Sequence, residues 1–148
     1  MANAINWDSN PSLTAYLGVE LNSLANAAQV IGAAIDNSSN LNMYMDVEVL
    51  VAEQGGARSA GAYIAIYMVS SLDGGTNYGY GDASTDPPAN SLVAALPIDA
   101  AVTARYLTSM PFLMGPGHHK LVIENKTGQA FAASGNTLKY RVFSEEIQ

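Results

Sequence analysis

The clearest pattern in the chain is a strict alternation of apolar and more polar residues between positions 41 and 51. Its apolar members are Leu41, Met43, Met45, Val47, Val49 and Val51, and the residues between them include Asn42, Asp46 and Glu48. A period of two predicts a β-strand with one face in the core and the other mostly in solvent.

A second stretch, residues 61–69, is apolar or aromatic on both faces. Ile64, Ile66 and Met68 alternate with Tyr63, Tyr67 and Val69. This pattern is typical of a central strand that is covered twice, so we expect another subunit or a loop over one side.

Four further strands are predicted at residues 92–96, 103–110, 120–125 and 137–144, each bounded by turn-forming residues. Short strands with frequent turns predict an all-β chain. We therefore expect a single β-sandwich, either jelly-roll-like or immunoglobulin-like. Ten residues should supply much of its core: Met43, Met45, Val47, Val49, Ile64, Ile66, Leu121, Ile123, Leu138 and Tyr140.

The N-terminal quarter is less regular. Residues 13–28 fit a helical stripe as well as a strand, and this choice stays open. For residues 29–35 we favour a strand, because the strand at 41–51 needs a partner on its edge. Residues 1–13 predict an extended arm with Trp7 as its bulky anchor, and the domain then covers residues 14–148. Such an arm would either reach a neighbouring subunit or fray.

Two connections stand out. Residues 53–60 predict a flexible hairpin connection, and residues 72–90 hold too many glycines and prolines for regular structure, which indicates a long surface loop. The loop acids Asp73, Asp82 and Asp86, with Asn77, are oxygen donors of the type that Ca²⁺ prefers, but their spacing differs from that of an EF-hand. Plain turn formation is the alternative, and whether this loop binds an ion or a glycan stays open.

Composition limits the classes of function. The chain has 148 residues, of which 49% are hydrophobic and 13% charged, and this suits one domain with a substantial core. A surface with so little charge favours close contact with protein, so we expect an oligomer or a docked subunit. The net charge of −7 argues against a nucleic-acid partner. All six bases lie at or beyond Arg58. This asymmetry is explained either by head-to-tail or subunit-to-shell charge complementarity, or by an ordinary scatter of charges over the surface.

No segment predicts a membrane or a secreted protein. Residues 1–8 lack the features of a signal peptide, and no apolar run approaches the roughly 20 residues that span a bilayer. We expect synthesis in a host cytoplasm. The absence of cysteine removes disulfides, thiolate nucleophiles and cysteine-ligated metals.

The sequence offers little for catalysis. His118 and His119 are the only histidines, and adjacent strand residues point to opposite faces, so they are poorly placed to share a metal. No Gly-x-Ser-x-Gly elbow, phosphate loop or dinucleotide fingerprint occurs. We expect no enzyme activity, no metal and no cofactor. A hydrolase remains the weakest of the functional alternatives.

Aromatic residues are the candidate contacts. Tyrosine on a β-face or in a loop can stack on a sugar ring or anchor a protein interface, although most tyrosines of a sandwich only seal the margins of its core. The predicted interface residues are Trp7, Tyr63, Tyr67, Tyr78 and Tyr80. Tyr78 and Tyr80 are the strongest candidates for contact, with protein as the expected partner, because nothing local buries them in the glycine-rich loop.

Two phrases of the sequence resemble a known family. The segment GQAFAASGNTLKYR at residues 128–141 and the segment SSLDGGTNY at residues 70–78 are similar to small structural proteins of tailed-bacteriophage virions. The resemblance spans roughly residues 21–146. One glycine between Asp73 and Thr76 is the usual family form, and this chain has two. No catalytic motif goes with the family.

The resemblance implies a structural protein of the virion. The expected role is a capsid decoration or cement protein at the capsid surface, with the major capsid protein or another virion protein as partner and with self-association. Whether it sits on the head or on the tail, and its oligomeric order, stay open. The alternative function is a tail-associated or surface carbohydrate-binding β-sandwich module.

Overall fold

The computed structural model describes residues 5–7, 11–82 and 84–147. Within these residues the chain forms twelve strands and two single 3-10 turns, Val19–Leu21 and Ala89–Ser91. The strands are β1 (Ile5–Trp7), β2 (Thr14–Leu17), β3 (Gln29–Ile31), β4 (Ile35–Asp36), β5 (Tyr44–Val51), β6 (Tyr63–Ser71), β7 (Leu92–Pro97), β8 (Arg105–Thr108), β9 (Phe112–Leu113), β10 (His118–Lys126), β11 (Thr137–Phe143) and β12 (Glu145–Ile147). No helix in this part of the chain has the length and hydropathy to cross a bilayer.

The strands form two antiparallel five-stranded sheets and a separate ribbon. Sheet I has the order β3-β10-β6-β7, with β4 also paired to β10, and sheet II has the order β2-β11-β5-β8, with β9 also paired to β5. The ribbon joins β1 to β12. The predicted all-β sandwich is confirmed.

The strand order identifies the type of sandwich. Eight strands form the frame, and renumbered from one to eight along the chain they give the order 1-8-3-6 in sheet II and 2-7-4-5 in sheet I. They are β2, β3, β5, β6, β7, β8, β10 and β11. This is the strand order of a jelly roll, in which two Greek keys wrap around one core. Of the two predicted topologies, the jelly roll is the one that forms.

The core lies between the sheets and uses the predicted alternation. Almost no surface remains on its central members, which are Met45, Val47, Val49, Ile64, Ile66, Leu121, Ile123 and Leu138. Tyr140 is partly buried against this cluster. The prediction for Met43 is wrong, because β5 begins only at Tyr44 and the Met43 side chain is 43% exposed.

The described residues of the N-terminal quarter contain no long helix. β2 is followed by the 3-10 turn Val19–Leu21, and the strand predicted at 29–35 is divided into β3 and β4. These two strands pair with β10 and not with β5, so the expected partnership with the 41–51 strand is wrong. β10 extends over nine residues, and its free edge has room for both short strands.

The connection at residues 53–60 is not a hairpin, because β5 and β6 belong to different sheets. It is held instead by Arg58, whose side chain is buried. The Arg58 guanidinium donates to the side chain of Gln54, to the carbonyl oxygens of Ala101 and Thr103, and to Asp99 at 3.5 Å. A buried guanidinium with several acceptors fixes the path of this crossover.

The long loop after β6 covers the outer face of sheet I. Ile64 and Ile66 face the core, so Ala65 and Val69 point outward, yet both are buried. The loop lies above them, since Gln29 of β3 donates from its side-chain nitrogen to the carbonyl oxygens of residues 82 and 85 at 2.5 and 2.8 Å. The cover predicted for this strand is therefore present and belongs to the same chain.

Residues 5–7 of the predicted arm form β1, and residues 11–13 lead into β2 without forming a strand. Residues 1–4 and 8–10 of that arm lie outside the described residues. Ile5, Asn6 and Trp7 pair with Ile147, Glu146 and Glu145 of β12.

Candidate binding surfaces

The five predicted interface residues lie on two opposite sides of the sandwich. Tyr63 and Tyr67 belong to the outer face of sheet I, and Tyr78 and Tyr80 lie in the loop that covers it. Trp7 lies at one end of sheet II. They cannot form one continuous patch, so they belong to two separate surfaces.

The first surface is an aromatic cluster at the end of sheet II. The Trp7 ring meets the rings of Tyr44 and Phe143 edge-on, with centroid distances of 5.7 and 5.4 Å. Tyr44 stacks on Phe143, its register partner, at 5.7 Å. Leu113 is the register partner of Tyr44 on the other side. We call these four residues the aromatic end; Trp7 is 59% exposed and Leu113 69% exposed.

Carboxylates border the aromatic end. Glu145 and Glu146 of β12 are exposed and pair with β1. The Tyr44 hydroxyl donates to Glu145 at 3.1 Å, and this hydrogen bond raises the pKa of Tyr44. The surface therefore combines large apolar side chains with a negative fringe.

The middle of the same outer face carries paired charges. Arg141 donates to both carboxylate oxygens of Asp46, at 2.8 to 3.0 Å, and Lys139 lies 4.0 Å from Glu48. Acids from the first part of the chain, which holds no base, thus meet bases from the last part within one molecule. The charge asymmetry along the sequence is partly neutralised by this pairing.

The second surface depends on the order of the loop. Asp73 accepts hydrogen bonds from the Ser71 hydroxyl, from the backbone amides of Thr76 and Asn77, and from the Asn77 side chain. These bonds, above all that from the Asn77 amide, hold the pKa of Asp73 well below its usual range. The carboxylate caps its own turn, which is the plain alternative to calcium binding. Across the described residues no group of three His, Asp or Glu side chains has metal-site geometry.

A similar turn follows at Asp82. One of its oxygens, Oδ1, accepts from the amides of Ser84 and Thr85 and from the Ser84 hydroxyl. These bonds, led by the Ser84 amide, lower the pKa of Asp82 and keep it ionised. The turn is fastened to β3 through Gln29, as described above.

Between this turn and the sheet lies a cleft of about 280 Å³. Its lining includes Ile31, Tyr78, Tyr80, Asp82 and Lys120. The Lys120 ammonium lies 4.2 Å from the centre of the Tyr78 ring, in cation–π contact. Tyr78 is partly buried by this contact, against expectation, whereas Tyr80 is 67% exposed as predicted.

Tyr67 is tied down beneath the loop. Its hydroxyl donates to Glu124 at 3.1 Å, and Glu124 also contacts the Lys126 ammonium at 2.5 Å. Burial first and this hydrogen bond second raise the pKa of Tyr67 to about 12. Tyr67 therefore has a structural partner in its own chain.

Sequence reasoning missed one polar pair. The Ser70 hydroxyl lies 2.8 Å from Nδ1 of His119, whose Nε2 lies 2.8 Å from the Gly115 carbonyl oxygen. In the assignment that satisfies all three groups, Nε2 carries the proton and Ser70 donates to Nδ1. His119 is buried among core residues, and His118 faces the other way, 3.7 Å from Asp36. The opposite orientation of the two histidines is as predicted.

No family model and no curated protein matches the chain. Among solved structures, it is similar to one described as "Xyl-CBM35 in complex with glucuronic acid containing disaccharide". The identity is 14%, the TM-score is 0.45, and the alignment covers 97% of this chain and 95% of the other.

Proposed function

We propose that this protein is a non-enzymatic structural component of a tailed-phage virion, which decorates the capsid surface and stabilises the shell of major capsid subunits. The resemblance at residues 70–78 and 128–141 supports the virion setting, and the low charge content suits contact with protein. The observation that carries the proposal is the contrast between the two outer faces. The loop closes sheet I, whereas sheet II ends in exposed apolar side chains.

The aromatic end is the docking face in this proposal. Tryptophan and tyrosine dominate the free energy of many interfaces, because they bury a large area with few rotatable bonds. The fringe of Glu145 and Glu146 selects the partner's chemistry. A shell subunit with an apolar pocket rimmed by lysine or arginine would complement it.

Particle binding by variants tests the docking face. Purified protein is added to particles that lack it, and copies per particle are counted by gel densitometry and cryo-electron microscopy. Trp7→Ala and Leu113→Ser should lower occupancy about tenfold or more, as expected for hot-spot residues that contribute about 2 kcal/mol. Tyr106→Ala is the matched control, because Tyr106 is 68% exposed and lies on β8 of sheet II, far along the register from Leu113.

The melting temperature of each variant shows whether it remains folded. Full occupancy of Trp7→Ala and Leu113→Ser, with the fold intact, would overturn the docking face. The virion role would be overturned if the wild-type protein is found on no part of the particle. The reconstructions also decide between head and tail.

Self-association is a further part of the proposal. Because the chain's own loop covers the outer face of sheet I, that face gives no support for self-association. The proposal of self-association rests on the exposed aromatic end alone. Sedimentation velocity over a range of concentrations measures it, and a strict monomer for the wild type would contradict it.

A carbohydrate-binding module is the second candidate function. It is favoured by the cleft beside Tyr80, which brings an exposed aromatic ring and polar groups into one concavity. Such a site would work on a phage tail or on the capsid surface.

A further inference from the structure

The cleft beside the loop has unused hydrogen-bonding groups. The Asp82 carboxylate accepts on Oδ1 from the amides of Ser84 and Thr85 and from the Ser84 hydroxyl, and the Thr85 side chain is a further partner. Its second oxygen, Oδ2, keeps capacity for a ligand, because a carboxylate has about four lone-pair sites. The Lys120 ammonium contacts the Tyr78 ring and makes no hydrogen bond to a described residue. Tyr80 offers a ring that is mostly exposed. The three groups line one concavity, which is ordered by the two Asp-capped turns.

These groups match the chemistry of a sugar. One face of a pyranose carries C–H groups, and these pack on the negative face of an aromatic ring. The edge of the pyranose carries hydroxyls, which both donate and accept hydrogen bonds. Asp82 accepts from such hydroxyls and Lys120 donates to them. A volume of about 280 Å³ is near the lower end of ordinary ligand pockets, which suits one ring of a longer chain.

Charge narrows the class of glycan. The whole chain carries a net charge of −7, and the cleft holds one carboxylate against one ammonium. Within the cleft the two charges offset each other, and the excess negative charge of the surrounding chain repels a uronate or a sulfate, so a neutral sugar is the better match. Accordingly we propose that this cleft binds a single neutral pyranose ring within a surface polysaccharide, with Tyr80 as the stacking platform and with Asp82 and Lys120 as hydrogen-bonding partners. The inference rests on the second candidate function.

A larger cleft of about 380 Å³ on sheet II is a poorer match. Its lining has no aromatic side chain, and its charged groups Asp46, Glu48 and Arg141 all have partners: Asp46 and Arg141 pair with each other, and Glu48 lies 4.0 Å from Lys139. A ligand would have to break these ion pairs before it could bind the charged groups. Asp82 and Lys120 impose no such cost.

Calorimetric titration tests the inference. The probes are neutral oligosaccharides of different stereochemistry, namely cellopentaose, xylopentaose, mannopentaose and β-1,4-galactopentaose, with pentagalacturonate as the charged counterpart. At least one neutral probe should bind, and pentagalacturonate should bind more weakly. No binding by any neutral probe, or tighter binding of pentagalacturonate, would overturn the proposal.

Three variants assign the site. Tyr80→Ala should weaken binding about tenfold or more, equivalent to about 1.4 kcal/mol. Lys120→Met, which keeps the contact over Tyr78, and Asp82→Asn, which keeps an acceptor for the turn, should each weaken it several-fold. Tyr106→Ala, an equally exposed tyrosine on the opposite sheet, should have no effect. Unchanged affinity in Tyr80→Ala would refute this placement.

Particle occupancy separates this inference from the virion role. Tyr80→Ala should still decorate particles fully, because the docking face lies on the other sheet. If the wild type decorates particles and binds no sugar, only the cleft proposal fails. If it binds sugar and is absent from particles, only the virion proposal fails.

Discussion

The hydroxyl oxygen of Tyr16 lies 3.0 Å from the backbone nitrogen of Leu121 and accepts its hydrogen bond. The same hydroxyl donates to the carbonyl oxygen of Ala33 at 2.6 Å. Tyr16 belongs to β2 of sheet II, whereas Leu121 lies on β10 of sheet I, in the gap that separates β3 from β4. The Tyr16 side chain thus provides hydrogen bonds where neither β3 nor β4 pairs with β10, and it joins the two sheets. Burial raises the pKa of Tyr16 to about 12, although the Leu121 amide acts in the opposite direction.

Tyr16→Phe should destabilise the protein. The change keeps the ring but leaves the Leu121 amide and the Ala33 carbonyl without this partner, at a cost of about 1–3 kcal/mol for a buried group. Urea denaturation followed by circular dichroism measures the free energy of unfolding. Tyr106→Phe is the control, and an equal effect of the two variants would contradict the role of Tyr16.

Gly32→Ala should also be destabilising. A Cβ at Gly32 would lie 2.2 Å from the Tyr16 ring, so the ring would have to leave its position between β3 and β4. Overpacking of this kind costs about 1–3 kcal/mol. Gly55→Ala is the matched control, because a Cβ there meets nothing within 4 Å. Thermal denaturation should show a clear loss for the first variant and little change for the second.

Two positions on one alternating pattern should respond differently to truncation. Val47→Ala removes methyl groups from the closed core and should cost about 1–3 kcal/mol. Met43→Ala, although it continues the same pattern, should cost much less because this side chain is largely exposed. Comparable losses in the free energy of unfolding would show that Met43 is buried after all.

The Asp73 turn should contribute to stability in a pH-dependent way. A carboxyl whose pKa is lowered by folding stabilises the fold above its unfolded pKa of about 3.9, and this contribution is lost as the pH falls towards the folded value. The stability difference between wild type and Asp73→Asn should therefore be constant from about pH 7 to about pH 5 and narrow below about pH 4. Denaturant titrations at several pH values measure it. A difference that widens in acid would contradict this account.

Periodicity was sufficient to predict the core strands, because burial acts on each strand locally. β5, β6, β10 and β11 all fall within the stretches predicted for them, apart from a few terminal residues. The pairing partner of each strand depends on residues that are distant in the sequence, so the local pattern did not predict it. Nothing near Gln29 indicates that its strand would join β10 and not β5.

The candidate surfaces show the same limit. Exposure of Tyr80 follows from its glycine-rich surroundings, but the contact that partly buries Tyr78 comes from Lys120, which is 42 positions away along the sequence. The cluster of Trp7 with Phe143 joins residues that are 136 positions apart in the sequence. Such contacts result from the topology, and no local sequence motif predicts them.

The pairing of Ile5 with Ile147 makes the molecule a natural candidate for circular permutation. In this register residues 5 and 147 are neighbours, so a short glycine–serine bridge between them would close residues 5–147 into a ring. New ends could open at the connection of residues 53–60 or near Gly74. A permutant opened near Gly74 would keep the aromatic end and uncouple the loop, so that shell attachment and sugar recognition could be followed separately in a single polypeptide.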